Sequence, residues 1–151
     1  MYAAGDAAAS GPPLTPVADH QSDVVATNLL EGNRKTVDYA GLASAVFTVP
    51  PLASAGLTEK AAREQGLRFR VHREDTSGWL SSRRVGETAS GSKVLLEEDT
   101  GRILGAHLFG PHAGEVINVF ALAIRLGAKA DDLKHVLYAY PTVASDIPFM
   151  V

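Results

Sequence analysis

Gly105-Ala106-His107-Leu108-Phe109-Gly110-Pro111-His112-Ala113-Gly114-Glu115-Val116-Ile117-Asn118 carries the chain from a β-rich run into a helix. The run Arg102 to Phe109 pairs naturally with Lys93 to Glu98, because Asp99-Thr100-Gly101 between them fits a hairpin loop with Gly101 in the left-handed position. Downstream, Gly110-Pro111 opens a helix that Gly127 closes. Its apolar residues, Val116, Ile117, Val119, Phe120, Leu122, Ile124 and Leu126, run almost all the way round, and Glu115, Asn118 and Arg125 form one narrow polar stripe. A helix this apolar is buried on most sides. In a small domain that places core on one side and a subunit partner on the other.

Working outward, Asp131 and Asp132 load the first turn of a last short helix ended by Tyr140-Pro141-Thr142. Upstream, Leu67-Arg68-Phe69-Arg70-Val71-His72 alternates strictly and predicts a half-buried strand with Arg68, Arg70 and His72 outward. Thr58 N-caps a predicted helix from Glu59 to Gln65 that Gly66 terminates. Ala45 to Val49 is a short strand stopped by Pro50-Pro51. Residues 1–33 are Ala/Gly/Pro-rich and then helical, with Thr15 as N-cap and Pro16 at the first helical position.

The 151 residues suit one domain, or one domain with an appendage. A net charge of −3 gives no general attraction to nucleic acid or anionic membrane. The absence of cysteine excludes a disulfide, a thiolate nucleophile and a cysteine metal site within the chain. No apolar run approaches the ~20 residues of a membrane helix, and no signal-peptide pattern follows Met1, so cytoplasm is the default expectation. Tyr2-Ala3-Ala4-Gly5-Asp6 reads as a strand end with a Gly-Asp turn, the place where open α/β sheets bind ligands. A half-built ligand site so close to residue 1 suggests a truncated chain.

Residues Gly105 to Asn118 resemble the hairpin-to-helix segment of the dimerisation domain in the pyridine nucleotide–disulfide oxidoreductases. Val46 to Pro50 with Ala55 to Glu59 resembles that domain's first strand and first helix. Ala139-Tyr140-Pro141-Thr142 falls where the family carries His-Pro-Thr, and Tyr2 to Asp6 and Leu14 to Ala18 resemble its last FAD-contacting segments. The resemblance implies an α+β fold, an antiparallel sheet of about four or five strands with helices on one face, and a homodimer. It divides the chain into a remnant of the FAD-binding domain (1–33), a connector (34–42) and a dimerisation domain (43–151). The intact enzymes also use NAD(P), but no Gly-x-Gly-x-x-Gly occurs here.

The resemblance also implies site residues. Gly5 and Asp6 would meet the ribityl chain of FAD, an acceptor role that suits a carboxylate. Leu14 and Thr15 would aim a helix N-terminus at the flavin, whose reduced anion that dipole stabilises by about 0.3–1 kcal/mol. From spacing alone Gly5-Asp6 is simply a turn pair. With most cofactor contacts outside this chain, FAD binding by the chain itself is expected to be negligible. Tyr140 and Ser145 stand where the family's catalytic His and Glu stand. Histidine titrates near ~6.5 and tyrosine near ~10, so Tyr140 cannot shuttle protons at neutral pH in the same way. Tyr140 has two readings, a subgroup's altered acid or substrate contact, or a packing aromatic before a proline. The resemblance implies a cis Tyr140–Pro141 bond.

The five histidines show no zinc spacing with a third ligand, so no metal is expected. Arg68, Arg70, Arg73, Arg83 and Arg84 read as a solvated face rather than a nucleic-acid site, and Trp79 as an interface anchor. Two functions compete: the C-terminal part of an FAD- and NAD(P)-dependent oxidoreductase that donates Tyr140 to Ser145 to its partner's site, or a free-standing dimerisation module without activity.

Overall fold

The computed structural model describes residues 1–151. They form two compact units, Met1–Tyr39 and Ala40–Val151.

In the first unit a 3-10 turn, Gly5–Ala7, precedes helix α1, Thr15–Glu31. The sequence points to Thr15 as N-cap, but the cap is Leu14 and it makes no side-chain bond. Leu14 is extended, and its carbonyl accepts from Val17 and Ala18, so the first helical bonds start one residue earlier. The buried face of α1 is Val17, Gln21, Val24 and Asn28, spaced by four, three and four. Half of it is carboxamide, because the segments packed there have no regular backbone partners and need them. Gln21 Oε1 accepts from the Gly5 N–H at 2.6 Å, and Nε2 donates to the Ser10 carbonyl at 2.8 Å and the Tyr39 hydroxyl at 2.7 Å. Asn28 does the same for residues 34 and 35, with three bonds of 2.9 Å.

The second unit is built on five strands: β1 Ala43–Val46, β2 Leu52–Gly56, β3 Phe69–Asp75, β4 Gly91–Glu97 and β5 Ile103–Phe109. All neighbours are antiparallel, in the order β1-β2-β5-β4-β3. The expected β4–β5 hairpin is present, and Gly101 in its turn has φ +74. β2 lies in a stretch of Leu, Ala, Ser and Gly with little strand propensity of its own, and forms because β1 and β5 supply partners on both edges. β1 begins two residues before the expected strand and ends at Val46, since Val46 pairs with Leu52 and residues 47–51 must make the turn. At the β2–β5 crossing the backbones touch: a Cβ on Gly105 would meet the Leu57 carbonyl oxygen at 2.0 Å. Only glycine allows that approach.

Helix α2, Glu59–Glu64, is capped by Thr58, whose hydroxyl accepts from the Ala61 N–H at 3.1 Å, as its sequence predicts. The helical elements also differ from the sequence reading. Leu80–Arg84 forms a short helix, α3. The helix after Gly127, α5, covers only Ala130–Lys134, and residues 136–142 are irregular up to a 3-10 turn, Val143–Asp146, and a final helix α6, Ile147–Met150. Helix α4 runs Ala113–Leu126, with His112 left-handed at φ 56 before it and Gly127 at φ 66 closing it. It buries Ala113, Val116, Ile117, Phe120 and Ala123 against β1, β2 and β5. Val94, Leu96, Ala106 and Leu108 face it from the sheet, and Ile147 and Met150 complete the same core. Leu122 and Leu126 remain exposed beside the polar stripe, so burial on most sides does not hold within one chain. The short α2 sits across the opposite face at its β3–β4 end, where Glu59 reaches Arg73 and Lys93.

Candidate functional site

The expected site residues fall into two groups, one in each unit. In the first, Gly5 takes φ +66, as a turn glycine in that position must, and its N–H is held by Gln21. Asp6 lies in the 3-10 turn with its residue exposed. Leu14 and Thr15 lie at the start of α1. Pro16 has no N–H, and the Val17 and Ala18 amides are spent on the Leu14 carbonyl. The chemistry of this set fits a polyhydroxylated cofactor. An acceptor-only carboxylate suits ribityl hydroxyls, and a helix start suits a partly negative ring edge.

The second group is the segment after α5. Tyr140 is 75% exposed, and the Tyr140–Pro141 bond is cis, as the resemblance implies. Tyr140 and Ser145 line one shallow cleft together with Leu80, Ser81, Arg84 and Asp146. They do not bond to each other. Ser145 is committed to Thr142: its hydroxyl donates to the Thr142 carbonyl, and its N–H donates to Thr142 Oγ1 at 3.2 Å. The neighbouring carboxylate of Asp146 accepts from Ser81 Oγ. Arg84 Nη1 donates to the Pro141 carbonyl at 3.2 Å. The sequence reading put Arg84 on a solvated face and did not single out Ser81, because the two segments meet only in the fold. Two residues before Tyr140, the Tyr138 hydroxyl is buried without a partner, and burial pushes its phenol up. The cleft holds no histidine, and Ser81 is its one hydroxyl bonded to a carboxylate. What it offers is a phenol at the surface, able to donate or accept a hydrogen bond.

A third feature is the sheet face opposite α4. Beyond α2 it is uncovered and forms a groove of about 520 Å³ with Val46, Leu52 and Phe109 on its walls and Arg73, Lys93 and His107 among its polar residues. Val46, Phe47, Val49 and Leu52 beside it are all exposed. The Arg73 guanidinium, bonded to Glu59 at 2.8 Å, holds that carboxyl below its ordinary range, with Arg63 and Lys93 adding to the effect. Burial pushes the His107 imidazole down, partly offset by the Leu57 carbonyl 3.2 Å from Nε2. Of the remaining arginines the sequence singles out, Arg68 pairs with Asp99. His72 Nε2 lies 3.1 Å from Glu74 and 3.3 Å from the Phe149 carbonyl, so it is turned toward α6 rather than to open solvent. Trp79 stands edge-on to Phe149, with ring centroids 6.1 Å apart.

Residues 42–150 match the dimerisation domain of the pyridine nucleotide-disulphide oxidoreductases. The chain belongs to that family. Among the disulphide oxidoreductase relatives, it is 33% identical over 144 residues to the mitochondrial dihydrolipoyl dehydrogenase of Sus scrofa, covering 95% of this chain and 28% of that enzyme. The HOCl-induced flavoprotein disulfide reductase RclA of Escherichia coli, in its Cu(II) complex, superposes with a TM-score of 0.85 at 27% identity, over 99% of this chain and 34% of that one. The chain thus spans about a third or less of these two oxidoreductases. An uncharacterized 19.7 kDa protein in a mercuric resistance operon of Staphylococcus aureus is 49% identical over 152 residues, and the match covers 84% of its length. The family's dimerisation-domain fold accounts for the five-stranded sheet and α4 of the second unit.

Proposed function

We propose that this chain is the C-terminal part of an FAD- and NAD(P)-dependent, disulfide-reductase-like oxidoreductase, whose own task is homodimerisation and the supply of Tyr140 to Ser145 to the partner subunit's active site. In this reading residues 1–33 are the end of the FAD-binding domain, 34–42 a connector and 43–151 the dimerisation domain, working in the cytoplasm. The observation that carries it is the family match over residues 42–150, continued upstream by similarity to dihydrolipoyl dehydrogenase over 95% of the chain. The uncovered sheet face, rimmed by exposed Val46, Phe47, Val49 and Leu52, supports association, since exposed apolar patches of this kind mark interaction surfaces.

When bound, FAD would supply the electron-transfer chemistry. Asp6 would accept from its ribityl hydroxyls, Gly5 would let it approach the backbone, and Leu14 and Thr15 would set the helix start against its ring. Tyr140 would contribute a hydrogen-bonding phenol in place of an imidazole, which points to a substrate or proton donor unlike that of the histidine-bearing enzymes. Absorbance of the purified chain tests the cofactor part. These few contacts predict far less than one flavin per chain, and stoichiometric yellow absorbance would contradict it.

A second reading, a free-standing dimerisation or interaction module without activity, is favoured by the 19.7 kDa relative, of which this chain covers 84%. The reading frame upstream of Met1 separates the two. An open frame encoding a Gly-rich strand–turn–helix and paired cysteines supports the enzyme, and an in-frame stop with a ribosome-binding site supports the module.

A further inference from the structure

We infer that helix α3 is a positioning element, and that Arg84 and Ser81 hold the segment 140–146 in the shape that presents Tyr140 to a second copy of this chain. The inference rests on the reading that Tyr140 reaches the partner subunit, and it adds the residues that put it there. Ser81 and Arg84 are three apart, so they share one face of α3. Each holds one end of the segment. Arg84 donates to the Pro141 carbonyl at 3.2 Å, next to Tyr140, and Ser81 donates to the Asp146 carboxylate at the other end.

Toward Asp146 the segment is also held by burial, since Val143 and Ala144 pack against the core and Ile147 is fully buried, whereas the Tyr140 end depends on its hydrogen bonds. Between Leu137 and Asp146 its other side-chain hydrogen bonds are internal: Thr142 Oγ1 donates to the Ala139 carbonyl at 2.6 Å, and Thr142 and Ser145 cap one another. Leu137 and Tyr140 are both strongly exposed and cannot hold the backbone by burial. Ser81 is buried and fixed with its helix, which gives the anchor a rigid base. A guanidinium bonded to a carbonyl is a charge-assisted contact, stronger than one between neutral groups. The neighbouring Arg83, also exposed on α3, makes no side-chain hydrogen bond to the segment and serves as the internal control.

The experiment has two readouts on the whole chain, with R84A, S81A, Y140A, R83A and the double variant R84A/Y140A. Amide hydrogen exchange across residues 140–146 reports the anchoring directly. Exchange should rise about tenfold in R84A and S81A, stay at the wild-type rate in R83A, and be restored in part by R84K. The dimer dissociation constant reports the consequence. R84A and Y140A should each weaken the dimer about tenfold, and the double variant should be no weaker than Y140A alone. Wild-type exchange in both R84A and S81A, or full additivity of R84A and Y140A, overturns the inference. If Y140A leaves the dimer unchanged, the reading that Tyr140 meets the partner fails, and the exchange result alone then decides whether α3 anchors the segment. Should R84A fail to fold, S81A and R84K carry both readouts.

Discussion

At the scale of single residues, the open sheet face is where charge and burial interact. His107 sits beside Lys93 and the Leu57 carbonyl, and burial makes its proton harder to hold in the folded chain than in the unfolded one. The unfolded state therefore binds more protons just below the ordinary imidazole range. Stability is fully present above that range and is lost as pH falls through it. H107Q should flatten this slope. Melting temperatures of the two proteins between pH 7.5 and pH 5 give the comparison, and an equal fall in both would show that another group is responsible. Tyr140 stands out for the opposite reason. Its side chain is 75% exposed, and the hydrogen bonds beside it fall on its neighbours, the Ala139 and Pro141 carbonyls.

At the scale of elements, α4 divides into two faces with different expectations. Phe120 is fully buried between the helix and the sheet, so F120A should cost about 3–5 kcal/mol of unfolding free energy. Leu122 is 59% exposed, and L122A should stay within about 0.5 kcal/mol for the isolated subunit. Urea unfolding measures both, and similar losses would mean that α4 packs differently. The elements legible in the sequence are those fixed by local chemistry. Gly101 sets the hairpin, Thr58 caps α2, and Gly127 closes α4. Those fixed from a distance were not legible. β2 owes its strand to β1 and β5, and β1 ends early because of its register with β2. α5 stops at Lys134 although the sequence offers no breaker before Pro141. In the site, the cis Tyr140–Pro141 bond followed from resemblance, whereas Ser81 and Arg84 lie about 60 residues from their partners in sequence and emerged only from the fold.

At the scale of the whole molecule, a family dimerisation domain exposes a sheet face, a set of apolar side chains around it, and a strongly exposed tyrosine, Tyr140. None of these is satisfied within one chain, and the proposed homodimer would give them a partner. The polar residues of the groove include both signs, Arg73 and Lys93 against Glu74 and Asp75, so a copy of the same surface meets no single-sign barrier. Sedimentation velocity of the purified chain across micromolar concentrations tests this most directly. The account predicts a discrete species of twice the 15.9 kDa chain mass. A single species at 15.9 kDa that persists through the whole concentration series would contradict it.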